Sequence, residues 1–275
     1  MTNNILDNKY SNMMTALKID CKECKGLCCV ALYCMKTDGF PMDKEAGKPC
    51  RHLASDFRCE IHSKLGDQNY KGCLAYDCFG AGQKTTKICY PDTWKTDTRQ
   101  ANRIFNVFEL VFQLHQMLWY LMEAFTLTSD KNLKATIDAL IIENEQMLSA
   151  SLDDLPELNV TKYRTKVNDV LKQITALVLG NSSKGKHRTE YLGQDFKRAN
   201  LDKRDFSMSL MIAANLEGCS LKKTNFLGTD MRDANLKNTD LSESIFLTQM
   251  QINSTKGNLN TKIPSYLSRP ATWKK

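Results

Sequence analysis

A large apolar side chain recurs at every fifth residue along one stretch of this chain: Phe196, Leu201, Phe206, Met211, Leu216, Leu221, Phe226, Met231, Leu236, Leu241 and Phe246. All eleven positions comply, and at a hydrophobic content of 42% such a run arises by chance about once in ten thousand. Two residues earlier the side chain is small in nine of eleven cases, from Ala199 to Ser244, with Gln194 and Arg204 as the exceptions. Asn or Asp often stands between, as in Ala199-Asn200-Leu201 and Ala234-Asn235-Leu236. A period of five fits neither a helix at 3.6 nor a flat strand at 2. It requires short extended stretches in which residues two apart face one way, each closed by a turn that resets the alternation, so the chain must coil. Large and small side chains then alternate in a narrow interior. Arg204 breaks the small-residue rule, so one irregular corner is expected there, while Cys219 fits a small interior slot.

This pattern resembles the pentapeptide-repeat family over roughly 189–248. The resemblance implies a right-handed quadrilateral β-helix with four pentapeptides per turn, here about three turns and about 15 Å long. Over 249–275 the period breaks, and two prolines and Trp273 enter. That tail is expected to cap the open end of the coil.

Ahead of the repeat, Gly180-Asn181-Ser182-Ser183-Lys184-Gly185-Lys186 reads as a polar linker, with 181–186 as its body. Upstream of it, Ile104, Phe108, Val111, His115, Leu118, Met122 and Phe125 recur at steps of four and three, which predicts one helical stripe. Leu133, Ile137, Leu140, Ile141, Asn144 and Leu148 give a second stripe after the capping run Thr128-Ser129-Asp130, and 160–179 suggests a third helix. A small antiparallel α-helical bundle is expected over 97–180, with His115 as a core residue. The richest apolar run, Val107 to Phe125, is interrupted by Glu109, Gln113, His115, Gln116 and Glu123, so no membrane span is expected.

Ten of the eleven cysteines lie in the first third of the chain, and only Cys219 lies elsewhere. Met1-Thr2-Asn3-Asn4-Ile5-Leu6-Asp7 shows no basic region followed by an apolar core, so a reducing cytoplasmic setting is expected. There a dense cysteine set reads first as metal-binding or redox-active, with disulfides as the alternative. Soft thiolates select zinc or an iron–sulfur cluster. Eight sulfurs suit two four-coordinate centres, and because neighbours in an extended segment project to opposite sides, Cys28 and Cys29 would not serve one ion together, which leaves a binuclear arrangement or one metal plus one structural thiol.

Cys21, Cys24, Cys28-Cys29-Val30-Ala31-Leu32, Pro49-Cys50-Arg51-His52-Leu53, Cys59-Glu60-Ile61-His62 and Gly72-Cys73 through Asp77-Cys78-Phe79-Gly80-Ala81-Gly82-Gln83 resemble the zinc- or iron-chelating cysteine-cluster family found ahead of some bacterial pentapeptide repeats. The resemblance implies metal ligation over 1–96 by Cys21, Cys24, Cys28, Cys29, Cys50, Cys59, Cys73 and Cys78, with His62 the candidate nitrogen donor and His52 a weaker one. Cys34 and Cys89 fall outside the shared pattern.

The chain therefore reads as multidomain: a cysteine-rich metal-binding region (1–96), a helical region (97–180), a linker (181–186), a repeat coil (187–248) and a capping tail (249–275). No serine–histidine–acid set appears, and Gln83 interrupts the only glycine-rich run resembling a phosphate loop. The expected function is a metal-binding protein whose coil faces meet a protein partner; the alternative is an iron–sulfur redox or cofactor-handling enzyme. Nucleic acid is not expected as a partner: the formal charge of +7 falls to about +3 once eight thiolates hold two divalent ions. Mimicry of DNA toward a topoisomerase is disfavoured too, since nine basic residues balance nine acidic ones between Arg188 and Thr248, whereas duplex DNA is uniformly acidic.

Overall fold

The computed structural model describes residues 9–90, 94–95, 97–151, 154–180 and 189–273, so the linker expected at 181–186 lies outside the described residues. The helices are α1 (Ser11–Ala16), α2 (Leu27–Ala31), α3 (Lys71–Ala75), α4 (Ala81–Ile88), α5 (Thr98–Thr126), α6 (Lys131–Leu148), α7 (Val160–Leu179) and α8 (Gln249–Asn253).

The central region is helical, and its caps are those its sequence offers. The Asp97 carboxylate accepts from the Gln100 amide at the start of α5, Asp130 accepts from the Asn132 and Leu133 amides, and Asn159 from the Lys162 amide. Each side chain satisfies amides that the first turn leaves without partners. Asn144, polar within the second stripe, ties three helices together: its amide donates to the Leu114 carbonyl on α5 and the Tyr163 hydroxyl on α7, and Tyr163 donates to the Leu140 carbonyl of α6. His115 is buried, as its stripe predicts. No helix among the described residues is long and apolar enough to cross a membrane. α5 is apolar on nearly every side along its second half because it is wrapped by protein there, with α2 and α4 on one side, α6 and α7 on another, and the coil on a third.

The expectation of a right-handed quadrilateral β-helix over 187–248 is corrected here. No strand forms among the described residues of the repeat; the coil is held by isolated parallel bridges, such as Glu190 to Leu210, Asp195 to Asn215 and Asn225 to Ile245. The reason lies in the turns. Gly193, Arg198, Lys203, Met208, Ala213, Gly218, Lys223, Gly228, Asp233 and Asn238 all have positive φ, one in every five residues. Each sits third in a β-turn closed by bonds such as Ala199 N–H to the Phe196 carbonyl, and a left-handed residue in that position ends an extended stretch. One pairing residue is left per side, too few for a strand.

Successive coils stack at twenty-residue spacing by two devices. Side chains between the turns repeat vertically, with Asn215 donating to Asp195 and Asn235 to Asn215. Inside, the small polar residue reaches the carbonyl of the apolar residue one coil back: Thr224 to Leu201, Thr229 to Phe206, Thr239 to Leu216, Ser244 to Leu221. Cys219 makes the same bond to the Phe196 carbonyl, so it behaves as one more interior small residue. The irregular corner expected at Arg204 is absent: the turn from Leu201 keeps its geometry and the Arg204 side chain is exposed. Arg204 belongs to the first coil among the described residues, and its side chain leaves the coil without distorting the turn.

Pairing continues past 248, with bridges from Asn235 to Lys256 and Asp240 to Lys262. Trp273 closes this end: its ring lies where a Cβ on Gly257 would stand 2.4 Å away, and its indole donates to the Thr255 carbonyl. On the same side α5 is fastened to the coil. The Trp119 indole donates to the Leu247 carbonyl, while the Glu123 carboxyl accepts from the Phe246 amide and the Tyr266 hydroxyl. One continuous set of buried side chains runs from Tyr10 through the helices to Trp273.

Candidate metal centre

The cysteine region is built from turns around two short helical segments. Gly26, at φ +66°, turns the chain into α2, whose Leu27, Val30 and Ala31 are buried against the core. Those three commit one side of α2 inward, so Cys28 and Cys29 project from its remaining side. Cys28 and Cys29 therefore sit in a helical turn and not in the extended segment expected for them; their Sγ atoms are 3.9 Å apart. Further pieces are pinned by main-chain bonds: the Cys50 amide donates to the Cys29 carbonyl, Cys34 pairs with Lys44, and Leu53 bridges to Cys59.

The thiols influence one another around Cys28 and Cys29, and Cys29 acts on both sides of that pair, raising Cys21, Cys24 and Cys28 as well as Cys59 and Cys73. Cys28, held up by its bond to Cys29 and by burial, responds to Cys24 and Cys78. Cys59 and Cys73 respond to Cys29 and Cys50, and Cys73 is pushed up to about 12 by burial and these thiols together. Cys21, raised chiefly by burial, is influenced most by Cys24 among its neighbouring thiols. Cys34, which the sequence pattern set aside, also responds to Cys50 and Cys29.

N–H donors already face the sulfurs. Amides of Gly26 and Leu27 and the Thr86 hydroxyl oppose the rise that burial imposes on Cys24; amides of Gly80 and Gly82 do so at Cys78, which is still pushed up to about 12; Ile61 does so at Cys59. Gly82 is required by this packing, because a Cβ there would stand 2.7 Å from the Cys24 Sγ and 3.8 Å from the Cys78 Sγ. The Lys44 ammonium lowers Cys29, after the bond from Cys28, while donating to the Val30, Leu32, Glu45 and Lys48 carbonyls. Nothing in the cysteine spacing marked Lys44, whose place depends on the Cys34–Lys44 pairing.

Among the described residues, no three histidine, cysteine or acidic side chains converge closely enough to hold one ion. All eight predicted thiols are free, none in a disulfide. His62 is exposed, and no hydrogen bond of its ring to a thiol is found among the described residues. The His52 ring is engaged instead by the Tyr70 hydroxyl and Arg51. Cys89 is buried at the end of α4.

Comparison with known proteins places the repeat and the whole chain differently. Residues 209–246 match the pentapeptide-repeat family, with eight copies, and the match does not extend to the cysteine region. No solved structure matches. Over 272 residues, 96% of this chain and 98% of the relative, the sequence is 39% identical to the uncharacterized protein YybG of Bacillus subtilis (strain 168). At that identity over nearly the full length of both, the chain belongs to the same family as YybG, and it carries pentapeptide repeats in its coil.

Proposed function

We propose that this protein binds metal through its cysteine region and presents the repeat coil as a scaffold for a protein partner. The observation that carries the first half is the gathering of these thiols around Cys28 and Cys29, whose Sγ atoms lie 3.9 Å apart. Cys21, Cys24, Cys28 and Cys78 would hold one centre, and Cys29, Cys50, Cys59 and Cys73 the other, with Cys34 as a neighbour of the second. Both groups suit the chemistry. Clustered free thiols are those a divalent ion or an iron–sulfur cluster would deprotonate, and amides aimed at the Cys24, Cys59 and Cys78 sulfurs would stabilise the thiolates that result. Zinc would tie the region together; an iron–sulfur cluster would add electron transfer.

The second half rests on exposed, regular faces. The ladder Asp195, Asn215 and Asn235 lies at the coil surface with Lys197 paired to Glu217 beside it, while two other sides are occupied by the chain itself, Asn225 by Thr175 on one and Arg232 and Asp233 by Asp38 and Lys71 on the next. A partner would therefore meet the first face.

Anaerobic purification followed by metal analysis and an optical spectrum tests the metal. Two equivalents of zinc in colourless protein, or iron with sulfide and visible absorption, are the expected results. Metal-free protein whose far-UV spectrum is unchanged when all eight cysteines become serine would overturn the proposal.

A further inference from the structure

A cleft of about 290 Å³ lies between α1, α4, α5 and α6, with no thiol in its lining, although Gly80 at its edge also donates to Cys78. Met13, Leu17, Leu118 and Leu148 give it apolar walls, and Lys84 and His115 also line it. Leu17, Leu118 and Leu148 are 3%, 2% and 7% exposed, so each presents only an edge of its side chain to the cleft and the more open Met13 supplies the rest of the apolar lining. Lys84 is half-buried, and no ion pair or hydrogen bond engages its ammonium among the described residues. At the rim Lys87 and Glu145 are exposed and unpaired with each other, which leaves two cations against one anion around the cleft.

His115 is 5% exposed, and its Nδ1 lies 2.6 Å from the Phe79 carbonyl. A carbonyl only accepts, so Nδ1 carries the proton. In the neutral ring Nε2 is then an acceptor, with no hydrogen-bond partner found among the described residues, and the ring lines the cleft. Burial, more than the nearby Lys84, keeps the ring neutral by pushing it down to about 4. An acceptor at the floor repels a carboxylate and welcomes a hydroxyl, whereas the free ammonium of Lys84 attracts the carboxylate.

We infer that this cleft binds a small amphipathic carboxylic acid, its head on Lys84, its apolar chain between Leu17, Leu118 and Leu148, and a hydroxyl on the chain donating to His115 Nε2. The cleft is open to solvent on one side, so a short chain fits with its end in water, and an eight-carbon acid serves as the probe.

Titration calorimetry of the full-length protein with octanoate, 1-octanol and a series of hydroxyoctanoates with the hydroxyl at successive carbons tests this. Octanoate is expected to bind at least tenfold more tightly than 1-octanol, and Lys84→Gln to abolish that preference while leaving 1-octanol unchanged. At least one hydroxyoctanoate is expected to bind more tightly than octanoate, a gain that His115→Phe removes while octanoate binding, which also reports an intact cleft, persists. Equal binding of octanoate and 1-octanol, or octanoate binding indifferent to Lys84→Gln, overturns the site. A series in which no hydroxy acid gains over octanoate overturns the role of His115.

Discussion

Burial decides what Glu123 is near neutral pH. Its carboxyl is 2% exposed, Oε1 accepts two hydrogen bonds, Oε2 has no partner, and no cation pairs with it among the described residues. Desolvation pushes its pKa from 4.5 up to about 8. The folded protein therefore keeps this proton up to about pH 8, whereas the unfolded chain releases it near pH 4.5. Between those limits the native state binds more protons, so its stability falls as pH rises, by at most about 1.4 kcal/mol per unit from this group. Glu123→Gln keeps an acceptor for the Phe246 amide and the Tyr266 hydroxyl but has no charge to bury. Denaturant midpoints of variant and parent should agree near pH 5 and separate by pH 8, with the glutamine protein more stable; parallel curves across that range would show that Glu123 is not the titrating group. Gly82 gives a second test at this scale. Gly82→Val would push apart the Cys24 and Cys78 sulfurs, so under the proposed two-centre arrangement metal analysis should show about half the parent content.

At the scale of elements, the coil shows both what was legible and what was not. Its period was plain because every fifth residue from Phe196 to Phe246 is apolar and a small residue precedes most of them by two, and both sets are inside. What misled was the turn. A left-handed third position is ordinarily signalled by Gly or Asn, but here Arg198, Lys203, Met208 and Lys223 occupy it, so nothing local announced that each extended stretch stops after one pairing residue. Helices α5, α6 and α7 were legible because stripes and caps agree along long segments. In the cysteine region the backbone at Cys28 and Cys29, expected to be extended, is a helical turn, because Leu27, Val30 and Ala31 bury one side of it. Cys34 and Lys44 could not be found, since each reaches the thiols only through a non-local pairing. The closing segment yields a prediction of its own. Gly257→Ala would put a methyl into the Trp273 ring, expelling a side chain now 4% exposed. Loss of such an aromatic costs ~2–4 kcal/mol, and the near-UV circular dichroism of the tryptophans should weaken in step.

At the scale of the whole molecule, the contacts joining helices to coil differ in strength by kind. Arg232, paired with Asp230 on its own coil, meets Asp38 across a half-exposed seam, where water screens the charges and an ion pair contributes ~1 kcal/mol or less. Trp119 is 6% exposed, packs against Phe79 and Tyr266, and bonds to the Leu247 carbonyl. Its removal leaves a cavity and an unmet carbonyl in the same place, a cost of ~3–5 kcal/mol. Because buried side chains run without a break from α5 into the last coil, that loss cannot be confined to either part. Arg232→Met should therefore barely move the thermal midpoint, while Trp119→Ala should lower it for far-UV ellipticity at the helical minimum and for protease resistance of the coil together. Two separated transitions in the parent protein, one for the helices and one for the coil, would mean that the shared core does not couple them and that Trp119 stabilises the helical side alone.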